Sequence, residues 1–92
     1  IVLYHIYCLD KPDHLDTRLE NRAAHLAHLA ELGDRLFAAG PLQSEDGTMI
    51  GSVLIIDFES LDDAQEFCAR DPYVQAQLFE QVSISAWKKV LP

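Results

Sequence analysis

Ile1-Val2-Leu3-Tyr4-His5-Ile6-Tyr7-Cys8-Leu9 is a nearly unbroken apolar and aromatic run. Its reading decides the fold. Alternation between apolar and polar residues would mark a strand with one face in water, whereas a continuous run bounded by breakers marks a strand covered on both faces. Asp10-Lys11-Pro12-Asp13 supplies the break. A second stretch of the same character, Ser52-Val53-Leu54-Ile55-Ile56-Asp57-Phe58, stands in the middle of the chain.

Between these two strands the period changes. From Leu15 to Gly33 the spacing is helical, with Leu15, Leu19, Ala23, Leu26, Leu29 or Ala30, and Gly33 forming an apolar stripe. Asp13 is placed to cap this helix, with Asp16 as the capping-box acid and Gly33 as its stop. Arg35-Leu36-Phe37-Ala38-Ala39 is a short strand closed by Gly40-Pro41, and residues 42–48 read as a hairpin loop. After the central strand, Ser60 caps a second helix with Asp63 three residues on. Asp71-Pro72 restarts a short helical segment to about Phe79, and Val82 to Val90 forms the last strand.

Strand, helix, strand, strand, helix, strand is the order of a ferredoxin-like α+β sandwich, with two helices on one face of a four-stranded antiparallel sheet. At 92 residues the chain has room for one domain, spanning residues 1–92. The other sheet face should then turn polar. It does not: Leu3, Tyr7 and Leu9 oppose Val2, Tyr4, Ile6 and Cys8, and Val53 to Ile56 is apolar without a break. Two sheets packed face to face across a two-fold axis would cover that surface, so a homodimer is expected.

Fifteen acidic residues against seven basic ones give a formal charge of −8. Such a surface repels phosphate backbones and anionic lipid, so no nucleic-acid or membrane partner is expected. No apolar run reaches membrane-span length and there is no signal-peptide layout, which makes a cytoplasmic setting the default. The chain opens on Ile1 rather than Met, as a trimmed or altered start would. Cys8 and Cys68 lie far apart with no CxxC spacing and read as small buried hydrophobes.

Three stretches resemble the YciI-like (YCII-related) family of small bacterial proteins. They are Arg22-Ala23-Ala24-His25-Leu26, then Leu36-Phe37-Ala38-Ala39-Gly40-Pro41 followed by Gly51-Ser52, and finally Phe58-Glu59-Ser60-Leu61 leading to Asp71-Pro72-Tyr73-Val74, Val82-Ser83 and Lys88-Lys89-Val90. The resemblance spans essentially the whole chain. It implies a ferredoxin-like sandwich that dimerises into an α/β barrel, and a His–Asp pair in a pocket, here His25 and Asp71. One family relative is a dehydrochlorinase acting on a chlorinated hydroxyquinol. Two departures, a short loop between Pro41 and Gly51 and Trp87 in place of a smaller aromatic, would reshape the pocket.

A histidine bonded through one ring nitrogen to a carboxylate is a general base near neutral pH. It could remove a proton beside a carbonyl or phenol, with a leaving group lost or a double bond shifted. From periodicity alone, His25 is a half-buried residue at the edge of the apolar stripe, and Asp71 before Pro72 is an N-cap. Arg22, on the same helix flank as His25, could hold an anionic substrate or pair with a surface acid, and Ser52 could donate a hydrogen bond to substrate. Tyr73 reads as packing. His25 and His28 have a chelating spacing but no third ligand, so neither metal nor cofactor is expected. The resulting expectation is a small-molecule lyase or isomerase; the alternative is a dimeric module that binds a ligand or supports a partner without catalysis.

Overall fold

The computed structural model describes residues 2–92; Ile1, expected at the head of the first strand, lies outside them. The elements in chain order are β1 (Val2–Asp10), α1 (Leu15–Ala30), β2 (Leu36–Gln43), β3 (Met49–Phe58), α2 (Leu61–Ala69), α3 (Pro72–Gln75) and β4 (Phe79–Trp87), with a 3-10 turn at Gly33–Arg35. All pairings are antiparallel and the sheet order is β2-β3-β1-β4. This is the ferredoxin-like α+β arrangement. The two strands with the longest apolar runs, β1 and β3, are the two central ones.

The pleat of β1 divides its residues cleanly. Tyr4, Ile6 and Cys8 are buried under the helices, beside Leu54, Ile56 and Phe58 of β3 and Phe67 of α2. Ile6 and Ile56 are 0% exposed, and removing each from water contributes ~1.5–3 kcal/mol. Leu3, His5, Tyr7 and Leu9 point to the opposite face with Val53 and Ile55, and are only half-buried. No helix of the described residues packs there. Phe37 and Trp87 meet over this face with ring centroids 6.2 Å apart.

Several boundaries differ from the sequence expectation, each for a local reason. His14, not Asp13, precedes the first turn of α1 and makes no side-chain cap bond; Asp13 instead takes a left-handed φ of 62° in the turn, a conformation that Asp tolerates better than most residues. The helix ends at Ala30 with Glu31 as its C-cap, and Gly33, at φ 57°, opens the 3-10 turn instead of stopping the helix. Strand β2 runs on through Gly40 and Pro41 to Gln43. As an edge strand it can carry a proline, whose missing N–H faces no neighbour. β3 begins at Met49, and β4 covers Phe79–Trp87, earlier than expected. The α2 cap is as expected: the Asp63 amide donates to Ser60 Oγ at 3.2 Å.

The largest difference concerns α1. Most of its expected apolar stripe faces outward, with Leu15, Leu19 and Leu26 all exposed, and only Leu29 of its leucines is buried. The flank turned inward carries Arg18, His25 and Leu29. That rotation brings the helix's polar residues to the sheet.

Gly51 fixes how closely β1 and β3 approach. It is buried opposite Leu9, and a Cβ there would run into the Cys8 carbonyl oxygen and lie 2.9 Å from Leu42 Cδ1. The first obstacle is backbone and cannot rotate away. Gly51→Ala is therefore expected to destabilise the fold by ~1–3 kcal/mol, the usual range for overpacking, seen as a lower urea midpoint with an unchanged slope.

Candidate active site

Four elements converge beside the inward flank of α1. The end of β1 supplies Asp10, α1 supplies Arg18, Arg22 and His25, β3 supplies Ser52 on its inner face, and the start of α3 supplies Asp71 and Tyr73. Arg18 is 2% exposed, Asp71 and Ser52 3%, and His25 6%. Polar groups buried this deeply are tolerated only when paired. Among the described residues, no fully buried side-chain nitrogen or oxygen lacks a partner.

His25 Nδ1 lies 3.0 Å from each oxygen of Asp71. The same carboxylate caps α3, Oδ1 accepting the Tyr73 amide at 2.9 Å. Capping and histidine pairing therefore coexist through a shared oxygen, rather than by assigning one oxygen to each role. An ionised carboxylate can only accept, so Nδ1 carries the proton and the neutral ring presents a lone pair at Nε2. Nε2 has no hydrogen-bond partner among the described residues. The ring itself is held flat against Tyr73, with centroids 4.0 Å apart and planes inclined by 16°.

Arg18 is clamped on three sides. Nε donates to Asp10 Oδ2 at 2.7 Å, and Nη2 donates to Asp10 Oδ1 at 2.8 Å and to Ser52 Oγ at 2.9 Å. Its Cζ sits 4.7 Å from the centre of the Tyr73 ring. Burial opposes the charge on Arg18, but the bidentate bond and the charge of Asp10 outweigh it, holding the guanidinium above its ordinary pKa. Burial also pushes the Tyr73 phenol up, against the pull of Arg18 and Arg22, so it stays a protonated donor.

A cavity of about 170 Å³ opens between α1 and the β2–β3 edge, lined by Arg18, Arg22, His25, Ser52 and Tyr73 together with Leu26, Met49 and Pro41. A space of roughly 150 Å³ is enough for benzene, so one substituted ring fits. A larger groove of about 580 Å³ lies elsewhere, between β3 and α2, lined by acids together with Arg35, Arg70, Phe58 and Phe67. It contains none of the buried, convergent polar groups.

The sequence-derived candidates thus share one place: His25, Arg22 and Ser52 line the cavity, and Asp71 stands behind His25. Arg18, Asp10 and the contribution of Tyr73 were not foreseen. The signal for Arg18 was its spacing from Arg22 and His25, four and seven residues, which puts all three on one helix flank. His28 does not join His25: its Nε2 bonds the Phe67 carbonyl at 3.0 Å and its ring stacks on Phe67. Among the described residues no group of three or more His, Cys, Asp or Glu side chains is placed to hold a metal, and no helix is long and apolar enough to cross a membrane.

Cys8 and Cys68 are free and buried. Burial first, then neighbouring negative charge, pushes both thiols up to about 12, so neither supplies a thiolate at neutral pH. In the native state both are expected to resist thiol reagents at pH 8, and both to react once urea unfolds the chain. Stability follows the same shift. Below pH 9 the thiols are protonated in both states and their contribution is complete. Above it the unfolded chain ionises first, so the urea midpoint is expected to fall as pH rises from about 9 toward 12, with each unit of pKa difference worth ~1.4 kcal/mol.

Known proteins place this site in context. The chain is 45% identical to protein YciI of Escherichia coli O6:H1, across 97% of this chain and 99% of that one. It is 37% identical to the 5-chloro-2-hydroxyhydroquinone dehydrochlorinase of Burkholderia phenoliruptrix AC1100, whose structure holds 2,5-dihydroxybenzoquinone; that match has a TM-score of 0.87 and covers 94% of this chain and 93% of the other. An antibiotic biosynthesis monooxygenase shares the fold alone, at a TM-score of 0.60 and 11% identity, over 99% of this chain and 100% of that one. The model of the YCII-related domain matches residues 2–88, a span that includes the buried His25, its Asp71 partner and the cavity they border. The chain belongs to the YCII-related family.

Proposed function

We propose that this protein is a lyase- or isomerase-type enzyme in which His25 moves protons on a small oxygenated ring. The observation that carries the reading is the Nδ1 contact with both Asp71 oxygens at 3.0 Å, which leaves Nε2 as an unpartnered base beside a ring-sized cavity. Asp71 fixes the tautomer and stabilises the imidazolium once it forms. Arg22 at the rim and Ser52 on the wall hold the substrate's oxygens.

The dehydrochlorinase relative suggests the reaction. For a chlorinated hydroxyquinol, Nε2 takes one phenolic proton and returns it to the carbon that bears chlorine, giving a keto tautomer. A second phenolic proton then leaves as chloride departs with its bonding pair. The products are a hydroxyquinone and hydrogen chloride, with no external oxidant consumed. The test is incubation with 5-chloro-2-hydroxyhydroquinone, following chloride release, together with NMR of deuterium uptake from solvent into the ring. Turnover or exchange is expected. Saturable binding with neither would make the protein a ligand-binding module instead.

The working unit is a homodimer closed over the open sheet face. Leu3, Tyr7, Leu9, Val53 and Ile55 form a half-buried apolar surface there, a free-energy incentive for a second copy. Sedimentation is expected at twice the 10.4 kDa chain mass, and Val53→Asp is expected to shift it to one. A native protein that sediments as a monomer at micromolar concentration would refute the dimer.

A further inference from the structure

We propose that Arg18, held by Asp10, fixes the Ser52 hydroxyl as a hydrogen-bond donor aimed at an anionic oxygen of the ligand, so that the cavity selects phenolates and enolates over neutral phenols. The proposal rests on the reading of this cavity as the substrate site and names what that site prefers.

The argument is one of hydrogen-bond accounting. A serine hydroxyl has one proton to give and can accept at its oxygen. Arg18 Nη2 donates to Ser52 Oγ at 2.9 Å, which settles the direction of that bond. The Ser52 proton must then go elsewhere, and among the described residues no protein group accepts it. Ser52 is buried and lines the cavity, so its proton is available to whatever occupies that space. A hydroxyl that accepts from a guanidinium is polarised, and its own donated bond is strengthened.

The surroundings agree. The lining side chains include two guanidiniums, Arg18 and Arg22, and no carboxylate, although the chain carries a net charge of −8. The guanidinium is also not free to turn away. Two bonds to Asp10 fix its plane, leaving the second Nη2 proton for Ser52. Arg18 is thus a positioning residue for Ser52. A donor fixed before the ligand arrives stabilises charge as it develops on oxygen, with no reorganisation at that moment. In the same cavity, Nε2 of His25 removes the proton whose loss creates that charge.

The probe is 4-nitrophenol, whose phenolate absorbs in the visible, so the pKa of the bound phenol can be read directly by titration. The wild-type protein is expected to lower it by about one unit or more, a tenfold preference for the phenolate. Ser52→Ala should lose most of that shift and Ser52→Thr, which keeps a hydroxyl, should restore it. Arg18→Lys keeps a cation beside Asp10 but loses the forked donor, and should give a reduced shift despite unchanged net charge. Circular dichroism on each variant separates these effects from unfolding. Equal shifts in the wild type and Ser52→Ala, or no saturable binding of the probe, would overturn the proposal. Absence of chloride release with the phenolate shift intact sinks the enzymatic reading and leaves this one standing.

Discussion

Replacing His25 with Ala is expected to lower turnover of a chlorinated hydroxyquinol by a factor on the order of 10²–10⁴, the usual contribution of a positioned general base. Asp71→Asn is the more informative partner. Its amide oxygen can still cap α3, so the fold should persist. The amide nitrogen, however, is a donor set against Nδ1 in place of one of the two accepting oxygens, which favours the tautomer that accepts there and carries its proton on Nε2. The base is then blocked without being moved, and a loss on the order of 10⁴ is expected by analogy with the same change in serine protease triads. Asp71→Ala should add the loss of the cap, about 1 kcal/mol. Comparing initial rates with melting curves separates the two roles. Equal rates for the wild type and Asp71→Asn would remove Asp71 from the mechanism.

Asp10→Ala should produce the largest loss of stability. The Arg18 and Asp10 side chains are only 3% and 6% exposed, so deleting the acid leaves a buried guanidinium with one neutral hydrogen-bond partner, Ser52, and the face of the Tyr73 ring. Breaking a buried ion pair from one side costs ~3–5 kcal/mol, a large share of the ~5–15 kcal/mol that holds a typical domain folded. Removing both charges, with Asp10→Leu and Arg18→Met together, should recover most of the loss, because the desolvation penalty of the charges disappears with them. A double-mutant cycle by urea denaturation measures the coupling. Additive effects of the two changes would mean that the pair does not act as a unit.

How far the sequence revealed all this depends on which residues are considered. The order of elements was plain, because the shift from continuous apolar runs to helical spacing and back is strong at Ile1 to Leu9, Leu15 to Gly33 and Ser52 to Phe58. The rotation of α1 was not. Hydrophobic periodicity assumes that polar residues face water, and here Arg18 and His25 are instead hydrogen-bonded to Asp10 and Asp71 from other elements, so they can turn inward while Leu15, Leu19 and Leu26 stay out. That compensation is tertiary. His25 and Asp71 are 46 residues apart, and nothing local to either announces the contact; the resemblance to a family did. Asp71 was legible as a cap because Asp-Pro has a local signature, whereas its second bond has none. The extent of β2 was missed for the opposite reason: Gly40-Pro41 is a strong local stop, overridden by position at the sheet edge.

Asp71 belongs at once to a histidine and to the first turn of a four-residue helix, and the proposed reactivity would thereby hang on a very small piece of secondary structure. A single helical turn opens far more readily than a four-stranded sheet. Each opening would carry Asp71 away from the imidazole and the Tyr73 ring away from its stack, so on the proposed reading the base would be armed only while that turn is wound. Activity should therefore fade on warming while the sheet is still intact. A ligand lying against Tyr73 would delay that fading by fastening the turn, acting as a thermal guardian of the site that binds it.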